Sequence, residues 1–347
     1  MTTYSAVTTT GIYCRAGCAA KPLAENVRTF SLAAAAEAAG FRACLRCRPY
    51  RVAGPISAEA PELVCRAVQL IIDGVLDDGN EAELARRLAV SPRHLRRVFN
   101  ERLGATPDQV ARSRRAHFAR RLLDDSALSI AEIAFASGFG SLRQFNRAMR
   151  EIFRDTPQQL RDRRRRADRL AADGGLTMRL PYQAPLDWSA MIAVLAERAV
   201  PGVESVADGV YRRTISLDGA PGVLEVWPGG AEHLLLRAHL PYWEGLIHVV
   251  ERIGRAFGID AEPGRRAPGA WGPFEVGVHA VIARHCSRDV ARKRIGALVQ
   301  QHGQPVPGLA HSLTHLFPSA QVLATAELTC LPSSTAQAVR RFAATPA

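Results

Sequence analysis

The sequence predicts a multidomain protein, mainly α with α+β parts: a small zinc domain, an all-α tandem helix-turn-helix domain, an α+β domain and an incomplete helical segment. Three observations predict this. Four of the seven cysteines crowd into residues 14–47. Two similar arginine-rich helical patterns start at Ser91 and Ser141. Strand-like pieces begin only after the AADGG stretch at 171–175. The expected domains are 1–52, 60–168, 176–260 and 261–347, with AGPISAEAP at 53–61 as a linker.

Composition narrows the partner. The 347 residues carry a net charge of +12, of which +5 falls in 1–55, +6 in 56–170 and +1 in 171–347. Lys21 and Lys293 are the only lysines, so the excess is arginine, whose planar fork suits phosphates and guanine edges. Double-stranded DNA is the expected partner. The start, MTTYSAVTTTGIYC, has no basic segment followed by an apolar core, and apolar runs such as Met191–Ala196 fall far short of the ~18 residues a membrane span needs. A cytoplasmic protein with no membrane partner is expected, and the cysteines of a reducing compartment argue against a disulfide framework.

In the first element the spacing is Cys14-x3-Cys18, a loop, then Cys44-x2-Cys47. Two close pairs can each span one edge of a tetrahedron, so one Zn²⁺ held by all four thiolates is expected. A sulfur-only site of this kind is most often a structural knuckle, and spacing alone favours that reading. The surrounding runs add more. TTTGIYCRAGC at 8–18 and GFRACLRCRP at 40–49 resemble the Ada-type zinc domain over residues 4–52. The family usually carries a helical segment ahead of this motif, where only a handful of residues stand here. The resemblance implies that Cys14 accepts a methyl group from a DNA methylphosphotriester, that Cys18, Cys44 and Cys47 complete the site, and that Thr10, Lys21 and Arg42 contact the DNA backbone.

The second element is built from two copies of one pattern. In NEAELARRLAVSPRHLRRVFNERL, Ser91 is an N-cap and Pro92 the first helical residue; Leu95, Val98 and Phe99 share one face, and Arg93, Arg96, Arg97 and Asn100 the other. In SIAEIAFASGFGSLRQFNRAMREIF, Phe145, Ala148 and Met149 point inward and Arg143, Asn146, Arg147 and Arg150 outward. One helix from Pro107 to Asp124 is expected between them, ~27 Å long, which could hold two reading helices near one turn of DNA apart. A helical bundle with a solvated arginine face is the plain alternative for either copy alone; the duplication favours DNA reading. Residues 62–165 resemble the AraC-type DNA-binding domain, with Ala134–Arg147 matching its second-half segment. The run Arg163–Arg166 reads as a solvated helix end or a phosphate clamp.

The third element follows the order strand, helix, three or four strands, helix. The strands are placed at Leu176–Leu180, Gly209–Leu217, Gly222–Trp227 and His233–Ala238, and the helices at Asp187–Ala199 and Tyr242–Phe257. Beyond it, Pro273–His302 reads as one long helical run, with shorter ones from near Ser319 and Ser334. PYQAPLDW, AVPGVESV and YRRTISL resemble the N-terminal domain of AlkA-type glycosylases, and GAWGPFEVGVHAVIA, QPVP and LTHLFPSAQVLA extend the similarity. That family needs a helix-hairpin-helix and an aspartate just past it. The sequence ends at Ala347 before that point, Arg284-His285 replaces the usual glutamine pair, and Asp289 is the one aspartate after Asp260. Base excision is therefore expected to be absent. His279, His285, His302, His311 and His315 fit no ligand spacing and read as ordinary helix and loop histidines.

Taken together, the resemblance to the Ada/AlkA fusion family implies a methylphosphotriester-DNA repair and sensing protein. It would move a methyl group to a zinc-bound cysteine in a single turnover and regulate transcription of the alkylation response, with RNA polymerase as a further partner of an activator. The alternatives are a bifunctional regulator and DNA-3-methyladenine glycosylase, and a non-enzymatic AraC-type regulator with a structural zinc.

Overall fold

In a computed structural model, residues 3–51, 60–77, 79–164, 168–170, 175–259, 261, 266–284 and 286–345 are described. Most of the expected 53–61 linker, the stretch 171–174, Arg165, Arg166 and His285 lie outside them. The chain is multidomain, as expected, and mostly helical, with two sheets among the described residues.

The N-terminal part is a small sheet rather than a bare knuckle. Strands β1 (Tyr4–Val7), β2 (Ile12–Arg15), β3 (Val27–Phe30) and β4 (Arg42–Ala43) are ordered β3-β1-β2-β4, with α1 (Ala33–Ala38) between β3 and β4. The β1–β2 hairpin turns on Thr8–Gly11, where Gly11 takes a left-handed φ of +64° that favours glycine.

Among the described residues the helices α2 (Glu62–Ile72), α3 (Glu81–Arg87), α4 (Pro92–Leu103), α5 (Pro107–Asp125), α6 (Ile130–Ala136), α7 (Leu142–Phe153) and α8 (Pro157–Asp162) follow. The duplication extends to the caps. Ser91 and Ser141 each accept an amide at the start of α4 and α7. Thr106 and Thr156 each form a capping box with a glutamine three residues on, and a proline opens both α5 and α8. These side chains satisfy amides that a helix start otherwise leaves without partners.

The next sheet is antiparallel, ordered β5-β9-β8-β7-β6, from β5 (Leu176–Pro181), β6 (Glu204–Ala207), β7 (Val210–Leu217), β8 (Ala220–Gly230) and β9 (His233–His239). Helix α9 (Trp188–Arg198) follows β5, and α10 (Leu246–Phe257) follows β9. The last part comprises α11 (Pro273–Ala283), α12 (Arg288–His302), α13 (Ala320–Thr325) and α14 (Ser333–Ala344). The single run expected over Pro273–His302 is thus two helices. Ser287 caps the second by accepting the amide of Val290, which marks a fresh helix start inside an otherwise helical pattern.

One buried cluster runs without a break from the small sheet through α5–α7 into the larger sheet, a second lies among α1–α5, and a third fills the final helices. Arg213, wholly buried on β7, joins the larger sheet to α11. Its guanidinium meets Glu204 at 2.9 Å and Glu275 at 2.8 and 3.0 Å, and lies over the Trp271 ring. A buried guanidinium is tolerable only when carboxylates saturate it in this way.

Candidate metal centre and nucleic-acid interface

The cysteine quartet is assembled by sheet register. Cys14 lies on β2, opposite Ser5 of β1. Strand β4 runs parallel to β2 through the pairs Ile12↔Arg42 and Tyr13↔Ala43, so the residue that follows β4, Cys44, is delivered beside Cys14. The amide of Cys44 donates to Tyr13 O at 2.9 Å, and that of Cys18 to Arg15 O at 3.3 Å. All four Sγ atoms lie within 4.8 Å of one another. Zinc–sulfur bonds of ~2.3 Å put tetrahedral sulfurs ~3.8 Å apart, so the four donors fit one Zn²⁺.

Electrostatics inside the quartet call for a metal. Burial and then the charges of Cys44 and Cys47 push the Cys14 thiol well up. Burial pushes Cys47 up to about 12 although the amide of Arg15 donates to it. Burial would raise Cys44 too, but the amides of Cys47 and Arg46 donate to its sulfur and bring it down. Four bare thiols would not all ionise here at neutral pH; a divalent cation displaces the protons. Cys14 is the least exposed of the four at 6 %, the others being half-buried.

Around the quartet, Thr10 is exposed in the hairpin turn and its hydroxyl donates to Val7 O. Lys21 is exposed beyond Cys18, and half-buried Arg42 lies on β4 in register with Ile12, two residues before Cys14. Tyr13, beside Cys14, donates its hydroxyl to Glu37 at 2.6 Å, and His117 of α5 meets the same oxygen.

On α4, Leu95 and Phe99 are buried, whereas Arg93, Arg96, Arg97 and Asn100 are exposed; on α7, Phe145, Ala148 and Met149 are buried, Arg143 and Arg147 exposed and Asn146 half-buried. Each helix therefore keeps the two faces its sequence shows. A surface hollow of about 680 Å³ is bordered by Arg143, Asn146, Arg147, Arg150 and Arg154 with one acid, Glu151.

Sequence reasoning missed a charged junction behind the zinc quartet. Arg48 and Arg51 reach Asp124 and Asp168, and Arg179 of β5 reaches Asp125 at 2.5 Å. The signals were present: arginines interleaved with the last cysteines, and an acidic pair ending the otherwise basic helix FARRLLDD. Of the five histidines, His279 stacks on Phe317 and His315 meets the Thr314 hydroxyl; the cysteine quartet is the one metal-compatible group among the described residues.

Comparison with known proteins places three family models along the chain: the metal binding domain of Ada over residues 2–50, a helix-turn-helix domain over 84–163 and the AlkA N-terminal domain over 177–271. A probable bifunctional transcriptional activator/DNA repair enzyme AlkA of Mycobacterium tuberculosis is 37 % identical over 346 residues, covering 92 % of this chain and 69 % of the relative. The DNA-3-methyladenine glycosylase 2 of Escherichia coli is 32 % identical over 43 % of this chain and 57 % of its own length. The bifunctional transcriptional activator/DNA repair enzyme Ada of Escherichia coli is 34 % identical over 45 % of this chain and 43 % of its own.

Proposed function

Because the chain belongs to the family of bifunctional transcriptional activator/DNA repair enzymes of the Ada/AlkA type, we propose that it repairs and senses DNA methylphosphotriesters, with Cys14 as methyl acceptor and the tandem helix-turn-helix as promoter reader. The observation that carries this reading is the convergence of four sulfurs within 4.8 Å beside two exposed arginine faces.

When bound, Zn²⁺ keeps the four thiols as thiolates at neutral pH. The Cys14 sulfur attacks the methyl carbon in line; an S–C bond forms, the C–O bond to the phosphotriester breaks, and its electron pair leaves on the phosphate oxygen as a diester anion. No proton moves. Thr10, Lys21 and Arg42 hold the neighbouring phosphates. Methylation takes the site from −2 to −1, and at ~8 Å with an effective dielectric of ~40 each nearby phosphate is then repelled by about 1 kcal/mol less. A few phosphates would tighten DNA binding tens- to hundreds-fold, which turns repair into a signal. Recruitment of RNA polymerase would complete the activator.

Base excision is no part of this reading. Asp289 is exposed on the first turn of α12, which is no place to enclose a flipped base. Release of 3-methyladenine from alkylated DNA by the chain would refute this. Incubation of the zinc form with a methylphosphotriester duplex tests the main reading: one methyl per chain is expected on the Cys14 peptide, and a Cys14→Ser variant that still gains promoter affinity after methyl-DNA treatment would refute it.

A further inference from the structure

The two halves of the zinc quartet are held differently. Cys14 lies inside β2, paired with β1 along four residues. Cys44 and Cys47 follow β4, which has two register pairs to β2. Something else must fix the second half.

Arg48 follows Cys47 directly and has a foot in each place. Its amide donates to Cys44 O at 3.0 Å, closing the turn that carries both sulfurs. Its φ of +50° lies in the left-handed region, which disfavours a residue with a side chain. The side chain supplies the restraint. Its guanidinium meets Asp168 at 2.7 Å and Asp124 at 3.6 Å, and it is only 13 % exposed. Asp124 is fully buried on α5 and is also held by Arg120, Arg51 and the Tyr50 hydroxyl. Arg51 adds contacts to Asp168 at 3.4 Å and Asp125 at 3.8 Å. Arg179 of β5 donates its amide to Asp125 at 2.9 Å, so the small sheet's end, the helix-turn-helix part and the larger sheet meet here.

Resting on the reading of Cys14 as methyl acceptor, we propose that Arg48, gripped by Asp124 and Asp168 of the helix-turn-helix part, is a positioning residue for the Cys44–Cys47 half of the zinc site. The methyl-accepting centre is thereby completed by the domain that reads the promoter. Loosening the grip leaves the four sulfurs in place as donors but frees the turn that sets two of them against Cys14.

The experiment uses the full chain with Arg48→Gln, Arg48→Lys and Asp168→Asn, each loaded with Zn²⁺ and, separately, with Co²⁺ as a spectroscopic probe. We expect Arg48→Gln and Asp168→Asn to shift and broaden the cobalt ligand-field bands. They should lower the single-turnover rate at saturating methylphosphotriester DNA by ~10-fold or more, with the half-saturating DNA concentration little changed. Arg48→Lys should restore most of the rate. Should Arg48→Gln fail to fold, Asp168→Asn, which keeps the arginine and the shape of the acid, decides alone. Wild-type bands and rate in a folded Asp168→Asn or Arg48→Gln would overturn the proposal, as would lowered thermal stability with both unchanged. If the wild-type chain accepts no methyl, the reading of Cys14 fails, and the cobalt bands of the variants still decide the positioning.

Discussion

The reading helices α4 and α7 share a serine cap, length and burial pattern, yet their outward arginines live in different surroundings. On α4, Arg96 is held by Glu81, and Arg97 meets Glu101 at 3.1 Å and His94 at 3.2 Å. On α7, Arg143 and Arg150 have no ion pair within 4 Å among the described residues, and Arg147 meets Glu151 only at 3.5 Å. A DNA phosphate approaching α4 must take Arg96 from a carboxylate, an exchange that gains little. At α7 the incoming phosphate meets Arg143 and Arg150 with no carboxylate within 4 Å to displace among the described residues. Of the three outward arginines on each helix, Arg96 and Arg97 of α4 already meet carboxylates while Arg93 does not, and on α7 only Arg147 does, so more of the electrostatic gain on DNA should come from the second copy.

Arg143→Ala should show the largest effect. It is expected to weaken promoter binding by about 1–3 kcal/mol and to relax preference at one base pair if it reads a base edge. A competition assay against single-base operator variants checks this. An equal loss from Arg96→Ala would erase the distinction between the copies. The caps should behave alike. Ser91→Ala and Ser141→Ala are each expected to cost about 1 kcal/mol of stability in denaturant unfolding, because each removes one acceptor from a helix start.

Smaller still is Arg96→Ala, expected to weaken DNA binding by ~0.5 kcal/mol, since Glu81 already offsets much of that charge. Its counterpart, Glu81→Gln, should tighten binding and steepen its salt dependence, read as the slope of log affinity against log salt. The smallest effect concerns the second copy's capping box. The Ser129 amide, donating to the Glu132 carboxylate at 2.7 Å, and after it the Ser129 hydroxyl hold that carboxyl below the ordinary value. A lowered carboxyl stabilises the fold above its unfolded pKa and loses that contribution as pH falls through the folded one. Glu132→Gln should therefore lower Tm by ~1 °C at pH 7, and the difference should shrink as the pH is lowered through the folded carboxyl's range.

Much of this was legible in the sequence because it is local. Ser91-Pro92 and Ser141 announce helix starts through side chains that reach three residues on, and the Cys-x3-Cys and Cys-x2-Cys spacings announce a metal through pairs that each sit within one turn. What stayed hidden is non-local. The parallel pairing of β2 with the two-residue β4 has no periodicity to betray it. Strand β6, Glu204–Ala207, is four residues long and half-buried throughout, with no alternation. The meeting of Arg48 with Asp168 spans 120 positions, and composition shows only that arginines and aspartates exist, not which carboxylate saturates which guanidinium. The break between α11 and α12 was missed for the opposite reason: Ser287 is a local signal, overridden by the apolar pattern on both sides of it.

In the proposed reading the zinc centre sets when α7 binds DNA, and that rests on the reactivity of one sulfur. The most direct measurement is peptide mass mapping of the zinc-loaded chain after incubation with a duplex carrying a single methylphosphotriester. One methyl group on the peptide containing Cys14, absent with unmodified DNA, is the predicted result. Full zinc occupancy with no methyl gained, or a methyl found on Cys18, Cys44 or Cys47 instead, would contradict it.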